Sequence, residues 1–285
     1  MDLLQQELEK MNLTGVDFSL LDQREETLLA RLTRKNIPCV LKCYRSEGAR
    51  REIRNYALLS SLGIPTPRLL CQTESAILME DLSRHPIYRL GQEADLFSPV
   101  IAEKIAGWYR ALHHQSRNNP ELQKYALYAE ASHFSRQNIA FLSKRTNTAH
   151  LSIWNTLNRH FDDILSIYQH VPKVLNYNDF YYTNLAVAKD HSSAMMFDYH
   201  LLGIGYAYAD VRNICSSLSL DAQKAFLCAY GTPDPLEQAL DAVLSPIITL
   251  HLACQRAEFP SWAKESLAFL GNGLEDAIHQ LLAMK

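Results

Sequence analysis

Two carboxylates and one amide in the second half of the chain have the types and spacing for chemistry at a bound cation. Asp179 and Asn184 lie in the segment NDFYYTN, and Asp198 follows the apolar run AMMF. Carboxylate and amide oxygens are suitable ligands for a hard cation such as Mg²⁺. Phosphoryl transfer needs such a cation over the phosphates and a base that orients an attacking hydroxyl. We therefore predict Asp179 as the base, and Asn184 and Asp198 as the metal ligands.

Phosphoryl transfer also needs a cationic group beside the phosphates, and Lys42 is the candidate for it. Lys42 lies in the strand-like run PCVLKCY, where Cys39, Leu41 and Cys43 share one face and Lys42 lies on the other. A lysine inside a strand needs a partner, and Glu52 at the start of the next helix is the natural candidate. An exposed strand face and an ordinary salt bridge are the alternative interpretations.

The residues around Asn184 and Asp198 are predicted to form a β-hairpin. The apolar runs NLAVA and AMMFD flank the turn-like segment KDHSS, so the hairpin is expected to centre on His191. In that register Val187 pairs with Met195, and Asn184 lies opposite Asp198 at the open end. Side chains directly opposite each other on paired strands stand about 5 Å apart at Cβ. The hairpin would therefore hold the two predicted metal ligands together.

The wider pattern along the chain predicts an α+β fold in two parts. Residues 1–82 contain short strand-like runs, VDFSLLD, TLLARLT, PCVLKCY and SAILMEDL, and one helix that ends near Gly63. Residues 83–285 are dominated by helical periodicity, and no low-complexity linker separates the two parts. The buried stripe of the first-part helix is expected to consist of Ile53, Tyr56, Ala57 and Ser60.

Composition excludes several classes of protein. The 285 residues include 28 Lys and Arg against 31 Asp and Glu, a formal charge of −3, which argues against a dedicated nucleic-acid binder. None of the ten glycines forms a Rossmann fingerprint or a Walker loop. No signal peptide or membrane span is recognisable, and the six cysteines form no C-x-x-C pair. We expect a cytoplasmic protein with no membrane partner, and the pattern leaves its oligomeric state open.

Several ordered segments resemble the aminoglycoside phosphotransferase and choline kinase family. The segment DFYYTN resembles the D-x-x-x-x-N of the kinase catalytic loop, and DYHLLGIGYAYADV is similar to the family segment D-W-x-x-x-G-x-G-x-x-x-x-D-L. Three further segments are similar to segments of the same family. REIRNYALLSSLGIPTPRLL is similar to its helix, LMEDLS to its hinge, and AGWYRALHHQS to its leucine-histidine segment. The likeness spans roughly residues 15 to 215. It implies a bilobal protein-kinase-like fold, ATP and Mg²⁺ as cofactors, and a small-molecule hydroxyl acceptor.

The resemblance also implies a role for each matching position. Asp179 resembles the catalytic base, and Asp210 matches a carboxylate that is usually structural. The remaining matches are the magnesium ligands Asn184 and Asp198, the phosphate-binding ion pair of Lys42 with Glu52, and an adenine-binding hinge formed by the backbone of Glu80 to Leu82.

The first turn of the sheet departs from the family pattern. No glycine lies between Gly15 and Gly48, so the turn DQREET lacks a flexible loop to cover phosphates. Glu25 and Glu26 in that turn would be unfavourable beside a triphosphate. The alternative function is therefore a pseudokinase with a sensing or scaffolding role, which binds a nucleotide without transferring phosphate.

A basic cluster follows the third strand-like run and has two interpretations. It is either a solvated helix face or a surface for an anionic substrate. The cluster consists of Arg45, Arg50, Arg51 and Arg54.

Overall fold

A five-stranded antiparallel sheet dominates the N-terminal part of the computed structural model, which describes residues 2–284. The spatial order of the strands is β1-β2-β3-β5-β4. Two helices accompany the sheet: α1 (Asp2–Lys10) and α2 (Glu47–Ser61). The strands are β1 (Phe18–Gln23), β2 (Thr27–Arg34), β3 (Ile37–Tyr44), β4 (Leu69–Gln72) and β5 (Ala76–Glu80).

Strand β3 lies in the centre of the sheet and is covered on both faces. Cys39, Leu41 and Cys43 are fully buried in a core cluster that also contains residues of α1. The opposite face carries Val40 and Lys42, which line a pocket between the two parts of the chain. The predicted alternation of β3 is therefore confirmed, and the alternative of an exposed strand face for Lys42 is wrong because this side chain is buried.

Helix α2 begins at an N-cap serine and presents a buried face that differs from the predicted stripe. The Oγ of Ser46 accepts a hydrogen bond from the N–H of Ala49, as is typical of an N-cap. Ile53 and Tyr56 are buried as expected, but Ala57 and Ser60 are exposed. The helix is rotated so that its polar residues Glu52 and Asn55 also face inward, which a hydrophobic periodicity does not reveal.

Helices make up most of the C-terminal part, and short strands flank the loops that contain Asp179 and Asp198. Strand β7 pairs with β10, and β8 pairs with both β6 and β9. Within residues 2–284 no helix combines the length and the apolar character needed to cross a membrane. The helices are α3 (Pro99–Ser116), α4 (Arg136–Arg145), α5 (Ile153–His170), α6 (Ala207–Ser217), α7 (Leu220–Tyr230), α8 (Pro235–Cys254), α9 (Lys264–Phe269) and α10 (Asn272–Ala283). The strands are β6 (Tyr88–Leu90), β7 (Val174–Asn176), β8 (Leu185–Ala188), β9 (Ala194–Met196) and β10 (Gly203–Gly205).

The β8–β9 hairpin forms, but the predicted register is wrong by one residue. Val187 pairs with Ala194 instead of Met195. The cause is the turn, in which His191 takes a left-handed conformation with φ 60°. Asn184 consequently does not lie opposite Asp198, and its carbonyl accepts a hydrogen bond from the N–H of Phe197 (3.0 Å).

The α+β architecture follows the predicted division into a strand-rich N-terminal part and a helical C-terminal part. After β5 the chain forms a short 3₁₀ helix, Leu82–Arg84, and then enters β6. The boundary at residue 82 remains a prediction.

Candidate active site

A buried ammonium group bridges two carboxylates at the junction of the two parts. The Nζ of Lys42 lies 2.7 Å from Oε2 of Glu52 and 2.9 Å from Oδ1 of Asp198. Burial alone would lower the pKa of Lys42, but the charges of the two carboxylates outweigh burial and hold that pKa above its ordinary value. The lysine is therefore a permanently charged group within the cleft.

The backbone of Tyr199 is held by helix α2 at both of its polar groups. Its N–H donates to Oε1 of Glu52 (3.3 Å), and its carbonyl accepts from Nδ2 of Asn55 (2.7 Å). Because Glu52 and Asn55 are three residues apart, they lie on the same face of the helix. The segment that carries Asp198 is thereby fixed to α2 as well as to Lys42.

Asp198 lies just beyond β9 in a left-handed conformation, with φ 62°. Its Oδ1 also binds Nδ1 of His200 at 2.9 Å. Burial would raise the pKa of Asp198, but the hydrogen bond from His200 and the charge of Lys42 hold it well below its usual range. Both bonds use Oδ1, so among the described residues Oδ2 is left for a cation.

Asp179 and Asn184 form the second group of the site. The Nδ2 of Asn184 donates to Oδ2 of Asp179 (2.8 Å) and to its carbonyl oxygen (3.1 Å). The amide oxygen of Asn184 makes no hydrogen bond with the part of the chain that the structure describes, so it can act as a ligand. Burial raises the pKa of Asp179, with the charge of His200 opposing it and that of Asp198 adding to it.

The loop that carries Asp179 is anchored by the buried carboxylate of Asp210. The N–H groups of Tyr177 and Asn178 donate to the two oxygens of this carboxylate at 2.9 and 3.0 Å. Nε2 of His113 lies 3.1 Å from Asp210 as well. This geometry fits the structural role that the sequence resemblance implies for Asp210.

Two glycines in the segment after Asp198 permit close approaches between backbone segments. A Cβ at Gly203 would lie 2.3 Å from the carbonyl oxygen of Tyr128, and one at Gly205 would lie 2.2 Å from Oδ1 of Asn176. Both distances are far below van der Waals contact. Strand β10 can therefore pair closely with β7, which leads into the Asp179 loop, because Gly203 and Gly205 have no Cβ atoms.

Two adjoining cavities meet at the Lys42 ion pairs. One, of about 220 Å³, is largely apolar and is bordered by residues 80–83 at the end of β5. The other, of about 530 Å³, lies beneath the β1–β2 turn and is lined by Glu25 and Glu26. Glu26 also accepts a hydrogen bond from Oγ of Ser46 (3.0 Å), so the acidic turn is tied to the start of α2. Lys42, Glu52 and Asp198 line both cavities.

The predicted site residues thus fall into adjoining groups. Lys42 bonds directly to Glu52 and Asp198, while Asp179 bonds directly to Asn184. Glu80 and Leu82 border the apolar cavity that Lys42 also lines.

Sequence reasoning did not identify His200 or Asn55 as part of the site. It also did not separate Arg51, which lines the larger cavity, from the other arginines of its cluster. The only signal for His200 was its place two residues after Asp198. Asn55 is one helical turn after Glu52, and its contact depends on the rotation of α2.

The donor set fits a magnesium ion better than a transition metal. Within residues 2–284 no cluster of three or more His, Cys, Asp or Glu side chains is suited to hold a metal. Asn184 and Asp198 can offer two oxygen ligands, and Mg²⁺ commonly binds through one or two carboxylates together with waters and substrate phosphates.

The fold of the chain is similar to the folds of several small-molecule phosphotransferases of known structure. It matches macrolide 2'-phosphotransferase MphH from Brachybacterium faecium with TM-score 0.61 and 18% identity, covering 95% of this chain and 98% of that one. It matches choline kinase LicA from Streptococcus pneumoniae with TM-score 0.62 and 14% identity, covering 94% and 97%. A choline/ethanolamine kinase family protein from Mesorhizobium loti gives TM-score 0.64 at 13% identity, covering 95% and 94%. The bilobal protein-kinase-like fold is confirmed.

Sequence comparison identifies the family independently of the fold. Comparison with curated protein sequences gave no match. The sequence profile of APH, described as the phosphotransferase enzyme family, matches residues 20–242. This match covers well over half of the chain and includes the ion pairs of Lys42, the Asp179 loop and Asp210. The protein therefore belongs to the APH phosphotransferase enzyme family.

Proposed function

We propose that the protein transfers the γ-phosphoryl group of ATP, in a magnesium-dependent reaction, to a hydroxyl group of a small molecule. The observation that carries this proposal is the buried Lys42, bonded to both Glu52 and Asp198 beside the Asp179–Asn184 pair. The two groups adjoin because the N–H of Phe197, the residue before Asp198, donates to the carbonyl of Asn184 (3.0 Å). Phosphoryl transfer needs a phosphate-binding cation, metal ligands and a base, and the proposal assigns these roles to the two groups.

The apolar cavity is the proposed binding site for the nucleotide base. The N–H of Glu80 donates to the carbonyl of Arg68 (3.2 Å), and the N–H of Asp81 donates to that of Pro38 (2.9 Å). Because these two donors are already used, we assign the N–H of Leu82 as the hinge donor for adenine. Leu29, Val40, Tyr56, Met79 and Phe197 supply the apolar walls.

Asn184 and Asp198 are the proposed ligands of the magnesium ion. When bound, this ion neutralises phosphate charge during transfer. Asn184 is oriented for its role by the two bonds that its Nδ2 donates to Asp179. Lys42 in turn restrains Asp198 and presents its charge to the phosphates.

Asp179 is the proposed base. It would accept the proton of the acceptor hydroxyl and hold the oxygen in line with the phosphoryl group. The raised pKa of its carboxyl brings it closer to neutral pH, where a general base is most effective.

The acceptor is proposed to be an amino sugar, an amino alcohol or a sugar-like molecule. The named neighbours include a macrolide 2'-phosphotransferase and choline kinases. Close to Asp179 along the chain, Tyr181 is 46% exposed and its ring centroid lies 4.6 Å from that of Tyr182. Exposed aromatic faces suit a sugar ring or an ammonium group. The cytoplasmic location expected from the sequence remains a prediction.

The proposal is tested by Asp179→Asn with a panel of amino sugars, amino alcohols and free sugars. Magnesium-dependent ATP consumption by the wild type should fall by about a hundredfold or more in this variant, since general-base catalysis contributes that much. Asp190→Asn in the exposed hairpin turn is the matched control and should retain full turnover. Wild-type turnover by Asp179→Asn would rule out the assigned base.

A nucleotide-binding pseudokinase is the second candidate. The observation in its favour is the acidic turn, because Glu25 and Glu26 line the cavity where a triphosphate would lie. Calorimetry with Mg·ATP separates the two functions. Tight binding without turnover of any acceptor on the panel would support the pseudokinase.

A further inference from the structure

The cavity beneath the β1–β2 turn contains more negative than positive side chains. Five carboxylates line it, against three lysine or arginine side chains. A triphosphate is itself highly negative, so it can bind here only where a cation is free to meet it. The carboxylates belong to Asp22, Glu25, Glu26, Glu52 and Asp198, and the lysine and arginine side chains belong to Arg24, Lys42 and Arg51. His200 also lines the cavity, but its Nδ1 is bonded to Asp198 (2.9 Å).

Two of the three cations are already paired. Nε of Arg24 lies 2.8 Å from the carboxylate of Asp22. Lys42 is shared between Glu52 and Asp198, so its charge is balanced within the cleft. The positive charges of Arg24 and Lys42 are therefore partly neutralised by protein carboxylates even without a nucleotide.

Arg51 is the remaining lysine or arginine of this lining, and among the described residues it has no carboxylate partner. Within residues 2–284 no Asp or Glu oxygen lies within 4.0 Å of its guanidinium group. Its Nε is buried and, among the described residues, has no hydrogen-bond partner, a feature that it shares with the Nε of Arg50. The relevant difference is that Arg51 lines the cavity without a carboxylate beside it, so its charge is available to an anion there.

The surroundings of Arg51 leave room for such an anion. Gly48 and Ala49, which line the same cavity from the first turn of α2, have no side chain or a minimal one. The guanidinium carbon lies 5.8 Å from the ring centroid of Tyr128. The carbonyl of Tyr128 accepts a hydrogen bond from the N–H of Ile204 (2.7 Å), so this ring is anchored to the C-terminal part.

The other arginines of α2 are in a different situation. Arg50 and Arg54 both lie near Glu47, at 3.6 and 3.4 Å, and neither lines the cavity. Of the two interpretations of the basic cluster, the solvated helix face applies to these two residues. Arg51 differs from them because it lines the cavity and, within residues 2–284, has no carboxylate partner.

We propose that Arg51 binds the phosphate chain of the nucleotide and supplies the anion contact that the glycine-free β1–β2 turn lacks. This inference rests on the proposed function, because it takes a nucleoside triphosphate as the ligand. The Tyr128 ring positions the guanidinium group for that contact.

The test is Arg51→Gln, with Arg54→Gln as the matched control on the same helix. Dissociation constants for ATP, ADP and adenosine are measured by calorimetry in the presence of Mg²⁺. We expect Arg51→Gln to weaken ATP binding by roughly ten- to hundredfold, the value of a charge-assisted hydrogen bond, and to leave adenosine binding unchanged. Arg51→Lys should recover part of the loss, and Arg54→Gln should bind all three ligands as the wild type does.

Several outcomes would overturn the inference. An unchanged dissociation constant for ATP in Arg51→Gln would do so, even if the KM for the acceptor rises, because the anion would then belong to the acceptor. An equal loss of adenosine affinity would show that Arg51 only supports the fold of the cleft.

Inorganic tripolyphosphate separates this inference from the proposed function. Binding of tripolyphosphate that is weakened in Arg51→Gln supports the anion site even if no acceptor is phosphorylated. Turnover that proceeds normally in Arg51→Gln with unchanged ATP affinity overturns the role of Arg51 and leaves the phosphotransferase activity intact. Failure of the wild type to bind either ATP or tripolyphosphate overturns the inference.

Discussion

At the scale of single residues, Lys42 has the largest structural consequence within the site. Its ammonium group joins Glu52, which belongs to α2, to Asp198, which follows β9. Glu52 is only 1% exposed, so bulk water cannot solvate the charge of its carboxylate. The lysine is therefore needed for stability as well as for its proposed contact with phosphate.

We expect Lys42→Met to destabilise the protein by about 3 kcal/mol, because it leaves the Glu52 carboxylate buried without its cation. The carboxylate then either stays charged in an apolar surrounding or takes up a proton, and both changes cost free energy. Urea unfolding measures the change in the free energy of unfolding.

The double variant Lys42→Met with Glu52→Gln serves as the control. Removing the buried charge should restore part of the lost stability, so the two substitutions should be clearly non-additive. A double variant that is no more stable than Lys42→Met alone would contradict this account.

At the scale of elements, the loop between β7 and β8 depends on a carboxylate of α6. Asp210 accepts hydrogen bonds from the N–H groups of Tyr177 and Asn178, directly before Asp179. We expect Asp210→Asn to lower kcat by roughly tenfold or more while the affinity for Mg·ATP stays near that of the wild type. The reason is that small displacements of a catalytic group are costly in rate. Steady-state kinetics and calorimetry measure the two quantities.

Asp234→Asn is a suitable control for this effect. Asp234 is the N-cap of α8 and accepts from the N–H groups of Leu236 and Glu237, far along the chain from the Asp179 loop. It should cost up to about 1 kcal/mol of stability with kcat unchanged. If both variants lose rate in proportion to stability, Asp210 has no specific positioning role.

The elements of the N-terminal sheet could be predicted from local sequence, whereas their relative orientation could not. Alternation along β3 correctly separated Lys42 from Cys39, because strand side chains point to opposite faces in turn. The rotation of α2 is set by what it packs against, so Ala57 was wrongly expected to be buried. For the same reason charge alone did not distinguish Arg51 from Arg54.

The candidate site shows the same limit. The segments that carry Asp179 and Asn184 are close in sequence, and a short loop keeps them together. The relation of Asn184 to Asp198 instead depends on the β8–β9 turn, where the left-handed conformation of His191 shifts the register by one residue. Turn conformation at a non-glycine residue is weakly encoded in composition, so periodicity predicted the hairpin but not its pairing.

At the scale of the whole molecule, the two parts of the chain meet at charged and polar contacts. Helix α2 belongs with the N-terminal sheet, yet Glu52 and Asn55 bind the backbone of Tyr199 in the C-terminal part. The salt bridge from Lys42 to Asp198 crosses the same junction. All of these contacts are buried or partly buried, so separating the parts would expose several unpaired polar groups at once.

The hydrogen bonds from α2 to the backbone of Tyr199 affect how the protein unfolds. The two parts should melt as one cooperative unit, because neither can unfold without breaking the contacts at Tyr199. Each part has its own reporter: Trp108 and Trp154 are buried in the C-terminal part, and Cys39 and Cys43 are buried in the sheet. Tryptophan fluorescence and labelling of those two thiols, followed by mass spectrometry, should therefore give coincident urea midpoints. Two separated midpoints would mean that the junction carries too little free energy to couple the parts.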